Sequence, residues 1–421
     1  MVKKLFIILF IASFNSTTNA QIATIFADEF PDSSKTRIGI TSDYDINSNA
    51  FTNTFISKFY LGGYIDTDLK NSVLSRTKNI NRIGGNLNNG IFAAFNLEST
   101  FHNKNLNFFI SVRDRLHFDS QFSSDLYKVA FYGNIQFAGE TANFNDFSLN
   151  LIHYQQLQIG LFSSKLDSAA RWGIGLSFLK GQQYISVLAK KAELFTSDDG
   201  QYINFNTQLN ATQSNPAQSG IGAMNGFGTS LDIYFEAPFQ TRSGDSKLRV
   251  AVSDIGFIHF NKQTETLKQD SLFHYTGITI NNIYDIKDAS IGSTSKDSII
   301  KAVAPFQKEA YNATLPSVLD LTFETHFSKR FHLIEGLRQV FNGNYKVMSY
   351  IKAHYYFTPN FMLSATFGYG GYGNFNYGLS IFTNLGKGFL VYAGSNNIEG
   401  FIAPKKTTGQ GAYITLVKRF K

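Results

Sequence analysis

Hydrophobic and polar positions alternate along most of the chain. From Phe361 to Tyr369 one face reads Phe361, Leu363, Ala365, Phe367 and Tyr369, and the other Met362, Ser364, Thr366 and Gly368. From Asn374 to Asn384 the apolar face is Phe375, Tyr377, Leu379 and Ile381, set against Asn374, Asn376, Gly378 and Ser380. A period of two marks β-strands with one apolar face. The same reading fits 37–46, 53–63, 88–101, 104–117, 145–162, 170–180, 185–197, 201–213, 226–238, 246–260, 317–328, 346–357, 387–396 and 410–420. Many of these segments approach the ~9–11 residues that carry a tilted strand across a bilayer, so about 14 spanning strands are expected.

Turn chemistry separates the strands: "FHNKN" at Phe101 to Asn105, "SDDG" at Ser197 to Gly200, "SGDS" at Ser243 to Ser246 and "TPN" at Thr358 to Asn360. Two short helices are expected. One follows Asp66, with Leu69, Val73 and Leu74 on one face; the other follows Asp119, with Phe122, Leu126 and Val129 aligned before Gly133. The polar stretch 261–316 reads as a long loop with some local structure.

The polar faces carry charge. Glu98 stands opposite an Ile91, Ala93, Phe95, Leu97 face, and Arg113 and Arg115 oppose Leu106, Phe108, Ile110 and Val112. Asp232 and Glu236, Lys247 and Arg249, and Asp320, Glu324 and His326 oppose apolar faces in the same way. In a sandwich these charges would face water; in a membrane barrel they would line the lumen while the apolar set meets lipid. Glu98 is a cross-strand partner for Arg113 or Arg115 in that arrangement, because one hairpin joins their strands.

Composition tips the balance toward the barrel. Aromatic residues are 15% of the 421, with 42 Phe and 21 Tyr, while charged residues are only 16%, well below the roughly one quarter usual in soluble chains. Aromatics cluster near strand ends at Tyr355, Phe357, Phe361, Tyr369, Phe375 and Tyr377, where interfacial girdles sit. Residues 1–20 run from Lys3 and Lys4 through an apolar stretch to Ala20, the pattern of a cleaved signal peptide. The final strand, "GAYITLVKRFK", sets Tyr413 and Phe420 in an aromatic C-terminal segment suited to recognition by barrel-assembly machinery. The expected architecture is all-β: one antiparallel transmembrane barrel over 21–421, with 21–36 as an N-terminal plug or periplasmic segment.

Several blocks then suggest a family. "MNGFGTSLDIYFEAP" (Met224 to Pro238), "LRVAVSDIGFIHF" (Leu248 to Phe260), "ATLPSVLDLTFE", "NFNYGLSIF" and "VYAGSNNIEGFIAP" resemble an uncharacterised family of Bacteroidota outer-membrane barrels. That family is distantly similar to long-chain fatty-acid transporter barrels and to barrels associated with type IX secretion. The resemblance implies fourteen or so strands and an N-terminal hatch carrying Asn-Pro-Ala. That tripeptide is absent near the N-terminus and occurs only at Asn215 to Ala217.

Other chemical motifs dissolve in this context. Gly368, Gly370 and Gly373 have dinucleotide-loop spacing, but a strand rather than a helix follows them, so they read as a hairpin turn with Tyr369 and Tyr372 near the interface. "SGDSKL" lacks the strand-to-helix setting of a nucleophilic serine. The chain has no Cys, its eight histidines show no close pair at metal-ligand spacing, and its formal charge of +7 is dispersed. No enzyme activity, cofactor, metal site or nucleic-acid partner is therefore expected. The expectation is an outer-membrane barrel that binds or passes small hydrophobic molecules. The alternatives are a scaffold for a secretion or surface-assembly partner, and a soluble secreted β protein.

Overall fold

The computed structural model describes residues 36–97, 106–163, 170–276 and 306–420. The expected leader, the first turn at 101–105 and Glu98 lie outside them. Among the described residues nineteen strands follow in chain order: β1 (Thr36–Ser48), β2 (Asn81–Asn96), β3 (Leu106–Phe122), β4 (Thr141–Asn143), β5 (Phe147–Ser163), β6 (Arg171–Thr196), β7 (Ile203–Gln213), β8 (Gly226–Thr241), β9 (Gly244–Phe260), β10 (Glu265–Tyr275), β11 (Gln307–Lys308), β12 (Tyr311–Thr314), β13 (Val318–His326), β14 (Phe331–Val340), β15 (Lys346–Thr358), β16 (Phe361–Gly371), β17 (Phe375–Gly386), β18 (Phe389–Asn397) and β19 (Gly409–Phe420). Fourteen of these close an antiparallel barrel, in the order β1, β2, β3, β5, β6, β8, β9 and then β13 through β19 back to β1.

Closure joins the two ends of the described chain, with Thr36 opposite Phe420. Both ends therefore lie at one rim, together with the short turns after β8, β13, β15 and β17. The opposite rim carries the longer connections. There α1 (Asn53–Tyr60), α2 (Thr67–Leu74) and α3 (Ser124–Tyr132) pack Phe55, Val73, Phe122 and Tyr127 into a buried cluster. The Tyr127 hydroxyl donates to the Lys70 carbonyl at 3.0 Å, which ties α3 to α2.

Three sequence expectations need correction. The 53–63 segment is helical: Phe51, Phe55 and Phe59 recur every fourth residue, the first pair stacked at 5.1 Å and the second edge-to-face at 5.4 Å, and the Thr52 hydroxyl caps the first turn. The strand β14 went unread because Glu335 interrupts its apolar face and Gly336 and Arg338 its other. The candidates 170–180 and 185–197 are one 26-residue strand, β6, whose second half pairs with β7 instead of β8 and outruns its other barrel neighbour, β5, beyond Ala189. Within 261–316, β10 pairs along the whole of β7, so β6, β7 and β10 form a three-stranded sheet projecting past the loop rim.

The side-chain alternation follows the barrel wall. On β16, Phe361, Leu363, Phe367 and Tyr369 are exposed outward while Met362 and Ser364 are buried inward. From Phe361 to Tyr369 the outward band measures roughly 27 Å along the strand at ~3.4 Å per residue, about 20 Å of depth once tilted ~40°. Across the outward positions of β13 to β17, Glu335 is the one charged side chain; it is exposed, at mid-strand, and makes no hydrogen bond or ion pair with a described residue.

Candidate functional site

The barrel interior is packed at both ends and open between them. Toward the terminal rim, Phe92, Ala94, Phe109, Phe162 and Tyr234 form a dry cluster, with Ala251 and Val417 against it. At the loop rim, two turns fold inward. Asn344, in the β14–β15 turn, donates from its backbone N to Asp119 Oδ1 at 3.1 Å, and its side chain donates to the same carboxylate and to Ser148 Oγ. Tyr372, in the β16–β17 turn, is 2% exposed and hydrogen-bonds His117 Nε2 at 3.2 Å. The turn reaches this position because Gly370 and Gly371 adopt φ of 120° and 72°, which other residues rarely tolerate. On β2, a Cβ at Gly84 would come within 2.5 Å of the Tyr372 ring. Tyr372 thus closes the mouth from inside rather than sitting near an interface; Tyr369 is the outward member of the pair.

Between mouth and floor lies a cavity of about 330 Å³. One wall, from β1 to β3, presents Asp43, Asp45, Asn88, Arg113 and Arg115. The other, from β14 to β19, presents Ile334, Met348, Phe382, Leu390 and Val417 together with tyrosine rings, the cations Arg338 and Lys352 and the amides of Asn376 and Asn397. Tyr392 and Tyr413 meet there through their hydroxyls at 3.1 Å, and Lys352 donates to Tyr392 at 2.7 Å.

The inward charges fall into three groups. In the first, Arg115 crosses to β9 and pairs with Asp254 at 2.7 Å, while its Nε donates to Asn88, which in turn donates to Asp43. Asp232 accepts from the Asp254 backbone N at 2.8 Å and from Gln158 at 2.6 Å. In the second, Arg249 bridges Glu236 at 2.5 Å and Glu324 at 2.7 Å; Arg171 adds a contact to Glu236 at 3.5 Å and His326 one to Glu324 at 2.8 Å. Lys247 stands in register with Glu324 on the same side. In the third, Asp320 pairs with Arg338 at 3.1 Å. Charges removed from water need such partners, since a buried ion left alone costs several kcal/mol.

Arg113 makes no ion pair of its own among the described residues, although Asp232 and Asp254 attract it. It is 2% exposed, lines the cavity, and its Nη1 has no hydrogen-bond partner among the described residues. The register sets Gly90 and Gln156 beside it. Sequence reasoning named Arg113 and Arg115 but missed Asp43, Asp254, Gln156, Arg338 and the mouth pair Asp119 and Asn344. The signal in β1 was legible, since Arg37, Thr41, Asp43, Asp45 and Asn47 share one face.

The outward aromatics form two tiers. Tyr355, Phe357 and Phe361 lie at the terminal rim in successive ring contacts of 4.8 and 5.8 Å. Tyr369, Phe375 and Tyr377 lie toward the loop rim, with Tyr369 and Phe375 rings 4.9 Å apart. All six are exposed. In β19, Phe420 faces out and Tyr413 faces the cavity.

A closed antiparallel barrel with a charged interior and an apolar exterior is the class these observations define. The chain belongs to DUF5723, a family of unknown function, which it matches over residues 30–396. No curated relative matches it. Among solved structures it is similar to the Ralstonia pickettii toluene transporter TbuX (8% identity, TM-score 0.44, covering 93% of this chain and 90% of that one). It is also similar to a Pseudomonas aeruginosa FadL homologue (11%, 0.40, 97% and 99%) and to the translocator domain of the autotransporter NalP from Neisseria meningitidis (8%, 0.34, 92% and 90%). Likeness at this level carries no residue role or ligand across.

Proposed function

We propose that the chain is an integral outer-membrane barrel whose internal chamber binds a small amphiphilic molecule, with an acidic group at Arg113 and an apolar part against Met348, Phe382, Leu390 and Val417. The observation that carries this reading is the buried Arg113, whose Nη1 has no hydrogen-bond partner among the described residues, in the lining of a cavity that also presents a patch of apolar side chains. A guanidinium N–H kept from water without an acceptor costs stability that a bound carboxylate or sulfonate would recover. At about 330 Å³ the cavity lies at the small end of ligand sites. Membrane placement is supported by the outward band of Ile, Leu and Phe between two aromatic tiers. Passage through the barrel would require the Asn344 and Tyr372 turns to swing out.

The test compares a fluorescent alkyl carboxylate with the matching alcohol on the purified barrel. The reading expects the carboxylate to bind more tightly and Arg113→Met to abolish the difference. Equal binding of both probes, or no change in the variant, would overturn it. The projecting sheet of β6, β7 and β10 favours a second reading, a scaffold for a surface or secretion partner. Removing only the projecting part, β7, β10 and the end of β6 beyond Ala189, would then abolish a partner phenotype while leaving probe binding intact.

A further inference from the structure

The terminal end of the lumen holds a second constellation that the chamber does not use. Glu324 and His326 alternate onto the inward face of β13, and His332 stands directly opposite His326 across the hairpin to β14. Glu324 Oε1 lies 2.8 Å from His326 Nε2 and 3.3 Å from His332 Nδ1, and the three ligand atoms all fall within 4.8 Å of one another. The two separations from Glu324 are near the ~3.3 Å edge of a tetrahedron around a zinc ion with ligands at ~2.0–2.1 Å. His332 Nδ1 is buried, and the Glu324 contact is its only polar one among the described residues. The other oxygen of Glu324 is held by Arg249 at 2.7 Å, which fixes the carboxylate and leaves Oε1 facing the imidazoles.

We infer that Glu324, His326 and His332 form a binding site for a divalent cation of the zinc class. The donor set of two imidazoles and one carboxylate suits zinc better than calcium or magnesium, which prefer all-oxygen ligands. Three protein ligands leave one position for water or a solute entering from the terminal rim. The two imidazole rings are stacked, with centroids 3.8 Å apart and planes 11° from parallel. Two stacked rings cannot both direct lone pairs at one ion, so binding turns one of them. His326, with 24% of its side chain exposed, is the freer of the two. The site stands apart from the chamber reading, because none of its three residues lines that cavity.

The experiment titrates Zn²⁺ into tag-free, refolded barrel against a chromogenic chelator. One equivalent should bind. His326→Gln and His332→Gln should each weaken it by roughly tenfold or more, while His259→Gln, an exposed histidine on β9, should leave it unchanged. Absence of stoichiometric binding, or equal affinity in the His326 and His332 variants, would overturn the inference. If a variant does not fold, the Co²⁺ spectrum of the unaltered protein decides. Intense visible bands of a four- or five-coordinate site support the inference, and only the weak bands of octahedral cobalt refute it.

Discussion

Glu335→Leu isolates the question of what the outer wall touches. The carboxylate projects outward from mid-strand in β14, in register with Phe323 on one side and Ile351 on the other. On a water-exposed wall, replacing it with leucine would change stability by no more than about 0.5 kcal/mol in either direction. In a bilayer the same position carries a penalty: cations at the midplane of barrels cost about 2–4 kcal/mol and carboxylates less, so removing this one should gain ~1–2 kcal/mol, with leucine adding a few tenths in lipid. The assay is urea titration of the barrel folded in lipid vesicles. It can be followed through Trp172, the single tryptophan, which lies on the outward face of β6. The variant should unfold at a higher urea concentration with an unchanged slope, and Glu140→Leu, in an exposed loop, should not. A Glu335→Leu midpoint that is unmoved or lowered would refute lipid contact at this face.

Three further outcomes follow from the interior. Arg249→Met removes the cation shared by Glu236 and Glu324 and leaves them the Arg171, His326 and His332 contacts, so it should cost roughly 3 kcal/mol, and adding Glu236→Gln and Glu324→Gln should recover most of that loss in the same titration. Asp119→Ala removes the acceptor that holds the Asn344 turn. It should speed maleimide labelling of a cysteine placed at Met348 in the chamber, by several-fold at unchanged secondary structure. Glu399, in the short helix α4 (Glu399–Ile402) at the loop rim, has its carboxyl pushed up to about 7, chiefly by burial and further by Asp45, against the lowering effect of backbone hydrogen bonds. The folded state therefore holds this proton more tightly than the unfolded chain, and stability should fall as pH rises from about 4.5 to 7. Protease cleavage in 398–408 should increase over that window, and Glu399→Gln should flatten the change.

The strands with clean alternation were legible because lipid-type and lumen-type residues segregate at a period of two, as in β16, β17 and β19. In β14 Glu335 breaks the outward apolar face, which hides the strand from a period-two reading, and the same residue offers the sharpest probe of the environment. Charged inward residues could be assigned to a face from sequence, but not to partners. Arg115 finds Asp254 on β9, a pairing set by curvature of the wall and not by hairpin neighbours. The His326 and His332 cluster had a readable signal, since "ETHFSKRFH" places two histidines symmetrically about a turn; spacing rules drawn from helices and zinc loops pass over it. Likewise, the glycines at 368–373 were rightly read as a turn, yet their positive φ values point Tyr372 into the mouth, which periodicity does not encode.

The central claim is that one face of each barrel strand meets lipid and the other an enclosed lumen. Because the chain has no cysteine, single cysteines at each position from Phe361 to Tyr369 can carry a fluorophore without background. In vesicles, a lipid-borne quencher should dim the labels at 361, 363, 365, 367 and 369 and spare those at 362, 364, 366 and 368. Uniform quenching along β16, or quenching of the odd positions by a water-soluble reagent alone, would contradict the account.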